Sequence, residues 1–148
     1  MGADARAYLY FGIPLSDIYT EVEENEKYEI HDQKTGNPTG RMGSEKKMFF
    51  VNKHTGKKYL HEKESLGIKE EYIHMLEQES DKISNLIIAV QVGCISDYGT
   101  GGTLEITPEE IDKAKAKFDL ITTHHLLLGN GLCAVVKPKL MLNLYWSY

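Results

Sequence analysis

The chain predicts an α+β fold, a mostly antiparallel sheet with one long and one or two short helices packed on it, plus a protruding β-hairpin. Three observations carry that expectation. The opening stretch ARAYLYFGI alternates with period two, and NLIIAVQVGCI is almost continuously apolar and β-branched. Thr107-Pro108-Glu109-Glu110 opens a segment whose apolar residues recur at spacings of three and four. At 148 residues the chain has the size of one domain, with residues 28–63 as a hairpin insertion within it.

In the first strand Ala5, Ala7, Leu9, Phe11 and Ile13 share one face, and Arg6, Tyr8, Tyr10 and Gly12 share the other. Pro14 ends it. Ser16 and Asp17 then offer an N-cap for a short acidic helix with Ile18 and Val22 on one side. Glu21, Glu23, Glu24 and Glu26 make the rest of that segment a solvated surface. Next, DQKTGN and NKHTGK repeat one turn chemistry, aligning Asp32 with Asn52, Thr35 with Thr55 and Gly36 with Gly56. An Asx residue that supports a turn, followed by glycine where a left-handed residue is needed, closes a hairpin. The second copy has good strand arms in KKMFFVN and KKYLHEK; in the first, Pro38 and Gly40 interrupt the way out.

Ile68, Tyr72, Met75 and Leu76 fall at helical spacing and predict a helix from Ile68 to Gln78. Leu86 to Val92 reads as a central strand buried on both faces, followed by a glycine-rich loop or hairpin in SDYGTGGTLEI. Behind the capping box at Thr107, Ile111, Ala114, Phe118, Ile121, His125 and Leu128 predict a helix ended by Gly129 or Asn130-Gly131. A hairpin turning at Asn130-Gly131 is the alternative for its second half. LCAVV and KLMLNLYW read as strands separated by Lys137-Pro138. In the second of these, Leu140, Leu142, Leu144 and Trp146 form an apolar face opposite Met141, Asn143 and Tyr145.

Composition narrows the classes. With 41% hydrophobic and 26% charged residues the chain can bury a core without metal or disulfide. A net charge of -5 argues against a dedicated nucleic-acid binder. Cys94 and Cys133 form no C-x-x-C pair and suit a reduced cytosol, both buried as small apolar residues, with a disulfide between them as the alternative. No apolar run is long enough to span a membrane and the start does not resemble a signal peptide, so the expected setting is cytoplasmic.

Why the first strand carries Tyr8 and Tyr10 opposite its core face is the main functional question. Tyrosine suits a half-buried surface, its ring packed and its hydroxyl near water. Two readings follow: the Met48–Leu60 hairpin or a second copy covers the tyrosines, or they line a groove and stack on a flat ring. Arg41 to Lys63 is a basic stretch in which Lys47 and Lys57 lie near Phe49, Phe50 and Tyr59. It fits a phosphate-binding hairpin, or lysines that protect an exposed edge. In DYGTGG, Tyr98, Thr100 and Gly101 could wrap backbone N–H groups around an anion, or simply turn. His124 and His125 point about 100° apart on a helix and cannot chelate one metal; His125 reads as a core histidine. No catalytic constellation, metal or cofactor is implied.

The opening GADARAYLYFGIPLSD and the closing LMLNLYWSY resemble the ends of small accessory proteins encoded by tailed bacteriophages. The resemblance covers the chain ends alone and transfers no functional residue. It implies a setting, the cytoplasm of an infected host cell, in which such proteins bind host proteins or sequester signalling molecules, including nucleotides of host immunity. The expectation is therefore a non-catalytic binding protein, a small homo-oligomer, that captures a nucleotide-like small molecule or a host protein. Tyr8 and Tyr10 would stack on the base, with Lys47, Lys57 and the Tyr98-Thr100-Gly101 loop on phosphate. The alternatives are a phosphodiesterase or other nucleotide hydrolase, and a structural or protein-interaction module.

Overall fold

The computed structural model describes residues 4–76, 82–96, 102–127 and 137–147. In chain order the elements are β1 (Asp4–Pro14), β2 (Tyr19–His31), β3 (Pro38–Asn52), β4 (Lys58–Leu60), β5 (Ile73–Met75), β6 (Leu86–Ser96), α1 (Pro108–Leu127) and β7 (Lys139–Ser147). The strands form two sheets, one ordered β5-β6-β1-β7 and one ordered β2-β3-β4, and every pairing is antiparallel.

The alternation of β1 decides how the larger sheet is covered. Its odd residues meet β6 as Phe11 opposite Val90 and Ile13 opposite Ile88, and this side is the main core. Onto it α1 lays Ala114, Phe118 and Ile121, with the Phe118 ring edge-on to Phe11 at 5.7 Å between centroids. The smaller sheet joins the same core through Tyr19 and Phe50, with Leu66 and Ile68 beside them. Gly12 in β1 is fixed by close approach, because a Cβ there would lie 2.0 Å from the Ile88 carbonyl oxygen. No rotamer change relieves a clash with backbone.

α1 starts where its capping box puts it: the Glu110 amide donates to Thr107 Oγ1 at 3.2 Å. It runs unbroken to Leu127, so the hairpin alternative fails as far as that residue; residues 128–131 lie outside the described residues. LCAVV, at 132–136, also lies outside them.

The two repeated turns stand at opposite ends of β3 and share one hydrogen-bond set. Asp32 Oδ1 accepts from the amides of Lys34 and Thr35, as Asn52 Oδ1 does from His54 and Thr55. Gly36 and Gly56 close the turns in the left-handed region, at φ 71° and 72°. The first copy forms its hairpin despite Pro38, which sits at the strand's first position where no ladder bond is demanded of it. Further along, the Tyr28 ring lies over Gly43 and takes the space a side chain would need.

Two expected short helices are not formed. Leu15–Asp17 is a single 3₁₀ turn, and the glutamate-rich stretch after it is β2, because its alternate residues face lysines and aromatics of β3 in a long ladder. The stretch expected as a helix from Ile68 to Gln78 is, as far as residue 76, a 3₁₀ turn at Glu70–Tyr72 followed by β5; residues 77 and 78 lie outside the described residues. There the pairing of Ile73 with Ile88 and His74 with Ile87 outweighs a chance helical spacing. Among the described residues α1 is the one α-helix.

Phe118→Ala should lower the unfolding free energy by about 3–5 kcal/mol. Leu120→Ala, at a residue 71% exposed on the same helix, should change it by less than about 0.5 kcal/mol. Urea denaturation of the two variants checks the contrast.

Candidate functional site

The second face of the larger sheet carries the tyrosines. Tyr8 faces Asn143 and Cys94 across its two neighbours, and Tyr10 faces Met141 and Gln91. Tyr10 is buried with Ile87 and Ala89, its ring 4.6 Å from that of His74. His74 Nε2 donates to the Ala89 carbonyl at 3.1 Å, which holds the imidazole over the sheet. Asn143 Nδ2 donates to the Leu76 carbonyl at 3.3 Å and ties the chain after β5 across this face to β7. The cover on Tyr10 is therefore the chain around His74 and Leu76. The Met48–Leu60 hairpin does not supply it: Phe50 and Tyr59 pack into the core on the opposite side. Burial, then the neighbouring Tyr8, raises the Tyr10 hydroxyl above its ordinary pKa. Tyr8 stacks on Tyr10 at 6.0 Å and stays half-buried.

Lys47 and Lys57 sit on the other sheet and do not join the tyrosines. Lys47 reaches Glu26 at 2.8 Å, and the hydrogen bond and charge of that carboxylate raise its pKa. Lys46 pairs with Glu23 at 3.7 Å and Lys58 with Glu24 at 2.6 Å. The Lys57 ammonium lies 5.3 Å from the Tyr59 ring centroid. Lys46, Lys47 and Lys58 are thus engaged by the acidic strand β2 beside them, which leaves less positive field for a phosphate. Tyr98, Thr100 and Gly101 lie outside the described residues.

Sequence reasoning missed a polar joint between the sheets. Glu21 Oε2 accepts from His61 Nε2 at 2.8 Å, while Oε1 accepts from the Ile83 amide at 2.8 Å. The His61 ring stacks on Phe50 at 4.3 Å. These partners are far apart in sequence, so no local motif marks them. Beside the joint lies a cavity of about 250 Å³ with Glu62, Glu64 and Glu70 in its wall.

A second concavity, about 360 Å³, lies between residues 67–72 and α1. Ile68, Tyr72, Leu120 and Ile121 supply apolar surface, and Lys69, Lys117, His124 and His125 supply polar groups. His125 is fully buried as expected of a core histidine, and burial, aided by the charge of His124, pushes its pKa down to about 4. Among the described residues no group of three or more His, Cys, Asp or Glu could hold a metal ion. Cys94 is exposed rather than buried, because β6 turns it to the open end of the tyrosine face.

The largest departure from expectation is β7. Leu140, Leu142 and Leu144 stand opposite Phe11, Leu9 and Ala7, on the core side of the sheet. Yet they are 47%, 61% and 57% exposed. Among the described residues no helix is long and apolar enough to cross a membrane. Comparison of the chain with protein-family models, characterised proteins and solved structures finds no match.

His125 gives the fold a pH dependence of definite sign. Its folded pKa lies below the ordinary 6.5, so between the two values the unfolded chain binds more protons. Stability should be full above about pH 6.5 and fall by roughly 3 kcal/mol as pH drops to about 4. Denaturation at a series of pH values checks this; His125→Leu should flatten the slope, leaving the same-sign contribution of half-buried His74.

Proposed function

We propose that the chain is a non-catalytic binding protein that captures a protein partner on the open leucine face of β7. The observation that carries this reading is the exposure of Leu140, Leu142 and Leu144 on a sheet face that is core wherever α1 covers it. β7 is also an edge strand, paired with β1 alone among the described strands. A partner strand laid along it would gain main-chain hydrogen bonds, while its side chains bury the leucines at about 25 cal/mol per Å². An exposed apolar edge of this kind is otherwise an aggregation hazard.

The phage-like chain ends, one of which is β7, make a host protein in the cytoplasm of an infected cell the partner class; a second copy would be the homo-oligomeric form of the same contact. The β2–β3 ribbon is the protruding arm of this binding protein. From Glu23 to Met48 every residue is exposed except Glu24, Gly43 and Lys47, and Tyr28, Ile30 and Met42 present apolar surface there. Capture of a nucleotide draws less support, with Tyr10 beneath His74 and Lys47 on Glu26.

Leu142→Glu tests the reading at a residue whose exposure spares the fold. The wild-type chain should copurify with a stoichiometric partner, a host protein or a second copy, seen by native mass spectrometry. The variant should lose that partner with an unchanged thermal melt. Retention by the variant, or a bare monomer from the wild type, would overturn the reading.

A further inference from the structure

We propose that the concavity between residues 67–72 and α1 binds a small amphiphilic anion, an apolar body carrying one carboxylate. The site stands apart from the leucine face and does not rest on that reading.

Shape and lining set the apolar half of the argument. At about 360 Å³ the space lies at the lower end of small-molecule sites, which admits a short acyl or aryl body. Ile68 and Ile121 are buried in its floor, with the Tyr72 ring at one side. Leu120 is 71% exposed at the rim, on a helix whose neighbouring surface positions Lys115, Lys117 and Asp119 are charged. An apolar body in the space would cover that leucine.

Charge supplies the other half. Lys69 and Lys117 border the space from opposite elements, one on the 67–72 segment and one on α1. Neither has an ion-pair partner among the described residues, whereas Lys46, Lys47 and Lys58 each hold a glutamate. The neighbouring cavity mixes Glu62, Glu64 and Glu70 with Lys63, whereas this one has Lys69 and Lys117 and, among the described residues, no carboxylate in its lining. In a protein of net charge -5, two uncommitted ammonium groups over an apolar floor select an anion with a greasy tail. His124 adds a third polar group at the rim, and His125, neutral at physiological pH, adds a polar edge at the floor.

Octanoate and octanol, identical in their apolar chains, separate charge recognition from general greasiness. By titration calorimetry the whole chain should bind octanoate at one site and octanol about tenfold more weakly. Amide NMR shifts should cluster at residues 67–72 and 117–125. Lys69→Glu/Lys117→Glu should abolish octanoate binding, and the milder Lys69→Gln/Lys117→Gln should weaken it about tenfold with an unchanged thermal melt. Equal binding of octanol, full binding by the glutamine variant, or no saturable binding of octanoate at millimolar concentration would overturn the proposal.

Discussion

β1 is hydrogen-bonded along both edges, to β6 on one side and β7 on the other, and that double pairing constrains everything packed around it. The period-two alternation of its side chains then sets a different demand on each of its two faces. One face gathers Phe11 and Ile13 beneath α1 and the smaller sheet. The other sets Tyr10 beneath His74 and the chain at Leu76. Tyrosine answers the second demand because its ring can be buried while the surface around it stays polar. Gly12 answers a third, the approach of the Ile88 carbonyl to a point where no side chain fits.

How much could be seen in the sequence depended on the range of the interaction. The capping box at Thr107 and the two Asx-glycine turns are closed within a few residues, and they appear where the residues say. β2 was obscured because its partner is not adjacent in the pattern: a row of glutamates reads as a solvated helix until Lys46, Lys47 and Lys58 are set across from it. The segment at Ile68 failed for the converse reason, an apolar spacing that suits a helix but whose residues pair with β6 instead. Glu21, His61 and Ile83 meet only through tertiary structure and left no signal. Of the residues expected at a ligand site, Tyr8 and Tyr10 do share a face, while Lys47 and Lys57 belong to the other sheet.

Charge is distributed with some economy. Cross-strand pairs on the small sheet are exposed, and solvent screening leaves each of them little weight in stability. Their larger effect is on what the sheet attracts, since the glutamates of β2 offset the charge of Lys46, Lys47 and Lys58. The 62–72 segment borders two recesses, one walled by Glu62, Lys63, Glu64 and Glu70 and the other by Lys69 with no carboxylate among the described residues, so one short piece of chain serves two chemically distinct recesses.

The pairing of Asp4 with Ser147 joins residues from almost opposite ends of the chain. The β2-β3-β4 meander, by contrast, is assembled from neighbouring strands, the kind of contact that forms in microseconds. Closing nearly the whole chain into one loop costs more entropy and delays the reward, so β7 is placed to dock late and to leave first. Its departure would bare the edge of β1. A molecule that grips β7 from outside therefore does more than occupy a surface: by mass action it holds the last strand of the sheet in place.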